Sequence, residues 1–266
     1  MKINFGTLFI LLFSVVLISC NSNSKKETDT KELSEKASID VEAQYEIYMS
    51  NIDLNDSLLV TNSLYFTKED GSSLAVAAFL DQKGEVVKLI EKAADGTTNR
   101  YENTTYYVKN GLKFVTIEHF EDTTKPTDPV FIERKSFYDV QEKPIITKVR
   151  SAKFEEDLEK SSLNKVTPYN CSIERALSAI NQQGRFVPKF QGLVFSGRST
   201  YITVGEDDED GYVSALLIQY ENETTRKLKK NQKAMIGKPL DLQFQKVVDD
   251  TGFEFQLLLG VKEVEN

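Results

Sequence analysis

The residue best suited to acid-base chemistry near neutral pH is His119, the single histidine among 266 residues. A Ser-His-Asp triad would have to use it, and a metal site would have it as its one imidazole ligand. It stands in an alternating, strand-like stretch beside Ile117, Glu118 and Glu121, and no nucleophile-elbow sequence occurs in the chain. We therefore interpret His119 as a structural or surface histidine and predict no catalytic residue.

Cys171 is the second residue that could do chemistry. A cysteine at a helix N-terminus has a lowered pKa and can react as a thiolate. The stretch Asn170-Cys171-Ser172 precedes a segment with helical spacing, so this alternative stays open. We favour a small apolar filler at the start of a helix, with Asn170 or Ser172 as the cap, because free cysteines usually behave as buried hydrophobes.

An acidic run, Glu206 to Gly211, resembles part of a calcium loop. Oxygen ligands at Glu206, Asp208 and Asp210 occupy positions one, three and five, with glycine at six. Position twelve is Leu217, however, so the bidentate glutamate of that loop is absent. We interpret the run as a solvated hairpin tip, with weak calcium binding as the alternative, and we expect no metal or other cofactor.

The basic cluster Arg226 to Lys233 could contact anionic lipid headgroups, each charge contributing about 1 kcal/mol near such a surface. On a helix, Leu228 and Met235 would face inward and leave the charges outside. A solvated helix face is the interpretation that we favour.

The net charge of −8 makes nucleic acid an unsuitable partner, because neutralisation of phosphates by Lys and Arg dominates the affinity of a protein for nucleic acid.

The elements that must position these residues are mainly β-strands. Short apolar segments alternate with turns such as Asn110-Gly111 and Asp95-Gly96, which suit two-residue hairpins. This spacing favours an antiparallel meander over βαβ units. We predict a meander domain over residues 41–160 with strands at Leu58–Phe66, Leu74–Leu80, Val86–Ile90, Tyr101–Val108, Leu112–Phe120, Val130–Val140 and Ile145–Val149.

Residues 161–266 predict a smaller domain, a helix plus a β-rich barrel of the OB type, with an open sheet as the alternative. Helices are predicted at Lys153–Leu163, Ser172–Gln183 and Thr225–Ile236, and strands at Leu193–Phe195, Tyr201–Val204 and Tyr212–Tyr220. The fold class is therefore mainly β with a few helices (α+β). In the final hairpin, residues 240–261, alternation predicts that Phe255 is buried and that Gln256 faces solvent.

The first twenty residues have the layout of an export signal. Lys2 supplies a positive charge, Phe5 to Ile18 form an apolar run, and Leu17-Ile18-Ser19-Cys20 closes it. An uncleaved transmembrane helix over residues 3–19 is the alternative, although that run is short for spanning a bilayer. Residues 20–40 contain few large apolar groups, which predicts a flexible tether.

Leu-Ile-Ser-Cys resembles the lipobox of bacterial lipoproteins. The resemblance implies a signal peptide over residues 1–19, cleavage before Cys20, and lipid attachment to Cys20. Because Asn21 rather than Asp follows, it also implies the outer membrane of a Gram-negative bacterium. Cys171 would then have no partner for a disulfide within the mature chain.

We expect a non-catalytic, lipid-anchored protein of the cell envelope that binds an envelope protein or a small ligand, or that has a structural role. Its other expected partner is the membrane, through the lipid. An envelope hydrolase would instead need a pocket joining His119 or clustered carboxylates to a nucleophile. A ligand-binding barrel would need an enclosed apolar cavity.

Overall fold

The computed structural model describes residues 41–98, 100–122, 130–208 and 210–264. The predicted signal peptide, residues 1–19, and the tether with Cys20, residues 20–40, lie outside the described residues. From Val41 onward the described chain forms one compact unit that is mainly β with a few helices, which confirms the predicted fold class.

One mixed sheet, mostly antiparallel, contains the fourteen strands of the described chain. The strands are β1 Leu59–Asn62, β2 Phe66–Thr67, β3 Ser73–Leu80, β4 Val86–Asp95, β5 Arg100–Lys109, β6 Leu112–Asp122, β7 Val130–Tyr138, β8 Pro144–Ala152, β9 Asn164–Val166, β10 Phe190–Ser196, β11 Ser199–Gly205, β12 Val213–Ile218, β13 Leu240–Val248 and β14 Glu254–Glu263. The helices are α1 over residues 41–53, α2 Glu174–Ile180, α3 Glu223–Lys230 and α4 Gln232–Met235, with 3₁₀ helices η1 Glu155–Lys160 and η2 Gly184–Phe186.

The strands β3 to β9 form the predicted antiparallel meander, each paired with its successor. Asn110 and Gly111 turn β5 into β6 with φ values of 52° and 77°, the positive φ that this tight turn requires. The strands β1 and β2 lie one after the other along β3, where the sequence predicted a single strand. Leu64, between them, is fully buried.

Helix α1 packs on one face of the meander. Its Met49 and Ile52 join a buried apolar cluster with Tyr107, Val115 and Phe137 of the sheet. Burying an apolar side chain of this size contributes about 1.5–3 kcal/mol. Three ion pairs surround the cluster and join α1 to the sheet: Glu42–Lys148, Glu46–Lys135 at 2.5 Å and Asp53–Lys88 at 2.6 Å.

A buried ion pair holds α2 on the opposite face of the meander. The Glu91 side chain of β4 is 1% exposed, and Arg175 of α2 donates to its Oε1 through Nε at 3.0 Å and through Nη2. The other oxygen, Oε2, is buried without a hydrogen-bond partner among the described residues. Arg175 is therefore the partner that compensates this carboxylate.

The last five strands form a small barrel. Antiparallel pairing runs from β10 through β11 to β12, β12 pairs with β14 in parallel, and β13 pairs with β14 antiparallel. A bridge between Lys189 and Pro239 brings the starts of β10 and β13 together. Helices α3 and α4 connect β12 to β13. This partly open five-stranded arrangement is that of an OB-type barrel, as the sequence predicted.

The predicted boundary at residue 160 does not separate two packed cores. One cluster of buried side chains takes Leu64 and Tyr106 from the meander and Leu216 and Leu258 from the barrel. Strand β12 joins the two parts, since its start pairs with β2 and its end pairs with β14. The two parts therefore share one sheet and this core cluster, whereas the cluster under α1 belongs to the meander part alone.

The predicted helices are shorter in the structure. The segment 153–163 forms only η1, in which Leu158 is the single buried side chain, and the helix predicted from Ser172 begins at Glu174. The helix predicted over 225–236 breaks at Asn231 into α3 and α4, although Leu228 and Met235 are both buried as predicted. In the described ranges, no helix is both long and apolar enough to cross a membrane.

The final hairpin corrects the predicted assignment of its faces. In β13 and β14, Gln243 pairs with Gly260 and the next residue, Phe244, pairs with Leu258. Leu259 is therefore the extra residue of a β-bulge. The bulge reverses the alternation of β14, because a shift of one residue exchanges the two faces of a strand. Leu258 and Gln256 are buried, whereas Phe255 is only half-buried. The expectation that Phe255 is the core residue and Gln256 the solvent-facing one is wrong.

Candidate functional site

A groove lies between η1 and the face of the meander that carries α1. It consists of two adjoining clefts of about 280 Å³ and 220 Å³ that share Asn103, His119, Glu155 and Leu158. Ligand pockets of drug size enclose about 300–1,000 Å³, so each cleft suits a single small group or side chain. The remaining lining residues are Tyr101, Phe120, Glu121, Phe131, Ile132, Glu133, Arg150 and Glu159.

Strand register places the charged residues of the groove side by side. His119 of β6 is the cross-strand partner of Glu133 in β7, and Glu133 is the partner of Arg150 in β8. Directly paired residues point to the same face of a sheet with Cβ atoms about 5 Å apart. Asn103 of β5 pairs with His119 and extends the row.

Glu133 is the centre of this row. Its Oε2 lies 3.1 Å from Nε2 of His119 and accepts a hydrogen bond of 2.5 Å from Nη2 of Arg150. The side chain of Glu133 is only 9% exposed. Burial alone would raise the pKa of Glu133, but the hydrogen bonds from His119 and Arg150, with the charge of Arg150, outweigh it and hold the pKa at about 2.

The groove combines one ionised carboxylate with an imidazole, an amide and aromatic rings. Glu133 stays ionised near neutral pH and cannot serve as a general acid. No Ser, Thr or Cys is among the described residues that line the groove, and Tyr101 supplies the one hydroxyl group of that lining. What the groove offers is fixed charge, an amide at Asn103 and aromatic rings.

Glu133 is expected to make stability depend on pH. Its pKa is depressed on folding, so its contribution is fully present above the unfolded pKa of about 4.3 and is lost as the pH falls toward 2. Unfolding by urea, followed by circular dichroism from pH 2 to 7, should show the wild-type chain more stable than Glu133→Gln by about 3 kcal/mol at pH 6. The difference should shrink below pH 4.5, and a constant difference would contradict the ionised state.

No protein-family model, curated protein or solved structure matches this chain.

The structure places Cys171 in the core, three residues before α2 begins at Glu174. Burial, and then the nearby Glu118 carboxylate, raise the pKa of the Cys171 thiol to about 12. Lys113 Nζ donates to the Cys171 carbonyl at 2.6 Å, and the Cys171 amide donates to the Tyr138 hydroxyl at 3.0 Å. Cys171 thus fills space in the main core cluster, on the face of the sheet that carries α2, and it lies outside the groove.

The acidic loop does not gather its carboxylates into a cage in the described residues. Arg185 pairs with Glu206 at 3.4 Å and donates to the backbone carbonyl of Asp210 at 2.9 Å. The Asp208 carbonyl accepts from Gly211 within the turn. In the parts of the chain that the structure describes, no group of three or more His, Cys, Asp or Glu side chains could hold a metal ion.

The basic cluster lies on α3 and α4 with its charges outward. Two of its lysines form ion pairs with neighbouring carboxylates, Lys227 with Glu263 at 2.5 Å and Lys229 with Glu221. These pairs are partly exposed, and such pairs contribute at most about 1 kcal/mol. The arrangement is that of a solvated helix face.

The interior of the barrel is filled by side chains. Ile202, Val204, Leu216 and Leu258 are all buried in the main core cluster. The filled interior does not supply the enclosed apolar cavity that a ligand-binding barrel would need.

Sequence reasoning singled out His119 but missed the residues that make it part of a site. Glu133, Arg150 and Asn103 come from separate strands and carry no local motif. The turn Asp139–Lys143 was only a partial signal, because its register alone would pair Glu133 with Val149. A register shift between Phe137 and Tyr138 moves the pairing by one residue and brings Glu133 opposite Arg150.

Proposed function

We propose that this chain is a non-catalytic binding module, anchored by lipid at Cys20 to the outer membrane of a Gram-negative bacterium, and that the groove under η1 binds an envelope component. The observation that carries the proposal is the row formed by His119, Glu133 and Arg150. It presents a fixed, ionised carboxylate in an open groove, and the described residues that line this groove include no Ser, Thr or Cys.

Support for the anchor comes from the sequence of the first forty residues. The four positions of Leu17-Ile18-Ser19-Cys20 fit the lipobox, and residues 21–40 are too polar to form a packed core. More than one acyl chain is needed for stable anchoring, and the lipoprotein modification supplies chains at both the sulfur and the new amine of Cys20. Support for binding comes from the groove.

One cross-linking experiment tests both parts of the proposal. A photoreactive benzoylphenylalanine replaces Tyr101, which lines the groove and is 68% exposed, in intact cells that make the full chain. The chain should fractionate with the membrane and yield one discrete cross-linked envelope component. With Cys20→Ala, at least tenfold less of the chain should remain in the membrane fraction, because the acyl chains are its anchor.

Two matched controls make the outcomes decisive. Tyr220 is 78% exposed and does not line the groove, so the same label there should capture no such component. Cys171→Ala changes the only other cysteine and should leave fractionation unchanged. Membrane retention of processed Cys20→Ala would overturn the anchor, and equal capture at Tyr101 and Tyr220 would overturn the groove.

A further inference from the structure

The groove carries an excess of negative charge. Glu121, Glu155 and Glu159 line it, and none of them forms an ion pair within the described residues. The positive charge of Arg150 is engaged by Glu133, whose Oε2 it contacts at 2.5 Å. Among the described residues, these three carboxylates around the opening therefore have no ion-pair partner. A groove of one charge sign raises the local concentration of ligands of the opposite sign.

A fixed acceptor lies deep in the same groove. Both protein donors, His119 and Arg150, contact Oε2 of Glu133, and Oε1 accepts no hydrogen bond from the described residues. The side chain is more than nine-tenths buried, and its neighbours on adjacent strands hold it in place. Oε1 is thus a preorganised acceptor for an N–H group that enters the groove.

Aromatic rings complete the walls. Tyr101 and Phe131 line the larger cleft, and the negative face of an aromatic ring attracts a cation within about 6 Å. Leu158 forms an apolar contact surface that suits a methylene chain. The groove therefore offers surfaces for both ends of a side chain that carries a cation on an aliphatic stem.

We propose that the groove binds an alkylammonium or guanidinium group on an aliphatic stem, in which the cation reaches Glu133 and the carboxylates of η1 surround it. This inference rests on the proposed function, because it takes the groove as the binding site. Two sources have the same chemistry, a Lys or Arg side chain of an envelope protein and a free aliphatic amine. An anion is disfavoured, since the Arg150 guanidinium, the cation among the described lining residues, is already paired with Glu133.

His119 is a built-in reporter for the test. It is the only histidine of the chain and 37% exposed, so an untagged full-length protein gives one pair of imidazole carbon-proton signals in NMR spectra, from the centre of the groove. Pentan-1-amine is titrated at constant pH and ionic strength. The His119 signals should shift and saturate with pentan-1-amine and stay unchanged with pentan-1-ol, which has the same stem without the charge. Equal responses to the amine and the alcohol, or none to the amine, would overturn the proposal.

Variants of η1 test the role of charge. Glu155→Gln combined with Glu159→Gln should weaken pentan-1-amine binding about 25-fold, since one unit charge at 4 Å changes affinity about fivefold even in water. Glu156→Gln is the matched control, because Glu156 lies on the same 3₁₀ helix, is exposed, and does not line the groove. A loss with Glu156→Gln as large as with the double variant would show general electrostatic attraction and contradict the proposal.

Two further probes distinguish the sources of the ligand. The capped peptide acetyl-Gly-Lys-Gly-amide should saturate the His119 shift, and the same peptide with Nε-acetyl-lysine should not. If the lysine peptide binds more tightly than pentane-1,5-diamine, the ligand is a side chain of a protein partner. If pentane-1,5-diamine binds more tightly than the peptide, the ligand is a free amine. If cross-linking at Tyr101 captures a component while none of the amines shifts His119, the ligand class is wrong and the proposed function stands. If the amines shift the His119 signals but the photoreactive label at Tyr101 captures nothing, the proposed function is wrong and the ligand class of the groove stands.

Discussion

Replacing Gln256 by leucine should lower the free energy of unfolding by about 3–5 kcal/mol. The side chain is 7% exposed, and its Oε1 accepts from the Tyr65 amide at 2.8 Å and the Ser214 hydroxyl at 3.3 Å. Its Nε2 donates to the Ser63 carbonyl at 3.0 Å. Leucine has a similar volume but leaves these groups without their partner, and each buried polar group so orphaned costs about 1–3 kcal/mol.

The matched control is Gln245→Leu, on the neighbouring strand of the same hairpin. Gln245 is exposed, and surface substitutions usually change stability by less than about 0.5 kcal/mol. Urea unfolding of both variants, followed by far-UV circular dichroism, gives the comparison. Similar midpoints for Gln256→Leu and the wild-type chain would mean that the assignment of the faces of β14 is incorrect.

Arg175→Met should destabilise the chain by about 3 kcal/mol. Glu91 is 1% exposed, and the only side chain that the structure shows donating to it is Arg175. Removing one member of a buried pair leaves an uncompensated charge and costs about 3–5 kcal/mol. We expect the lower end, because the Arg175 side chain itself is 46% exposed.

The double variant Glu91→Leu with Arg175→Met separates loss of the pair from loss of packing. Replacing both members by apolar groups is often neutral, so the double variant should recover most of the stability lost in Arg175→Met. Lys246→Met, which removes the exposed pair with Glu254, is the control, and it should cost less than about 1 kcal/mol. A cost for Arg175→Met no larger than for Lys246→Met, by thermal unfolding, would contradict the role of the Glu91–Arg175 pair.

The sequence predicted the meander well because its information is local. Asn110-Gly111 and the other glycine turns mark where strands end, and the apolar segments between them predicted the positions of β3 to β8. Most ends agree within about two residues, but β4 extends five residues beyond its predicted end, to Asp95. Helices were less predictable: the segment 153–163 has residues typical of a helix, but it forms only η1 over the sheet. Short helices depend on the surface that they cover, and helix propensity is easily overridden by tertiary contacts.

The bulge and the groove depend on non-local pairing. The extra residue Leu259 reverses the alternation of β14, and only the partner strand reveals that two residues oppose one. His119, Glu133 and Arg150 are contiguous in space because three strands are in register, whereas in the sequence they are separated by 14 and 17 residues, distances that suggest no motif. A histidine interpreted as structural thus proved to have a buried carboxylate beside it.

The position of β12 between β2 and β14 has a consequence for the order in which the chain folds. The hydrogen bond from Gln256 to Ser63 joins residues 193 positions apart, so the contact order of this junction is very high. Closing such a loop costs entropy before the contact stabilises anything. During synthesis, Ser63 and Tyr65 leave the ribosome early, but their hydrogen-bond partner Gln256 in β14 is made about 190 residues later. We therefore expect the meander hairpins to form first, and the barrel and the junction to become stable together only after the final strand is complete.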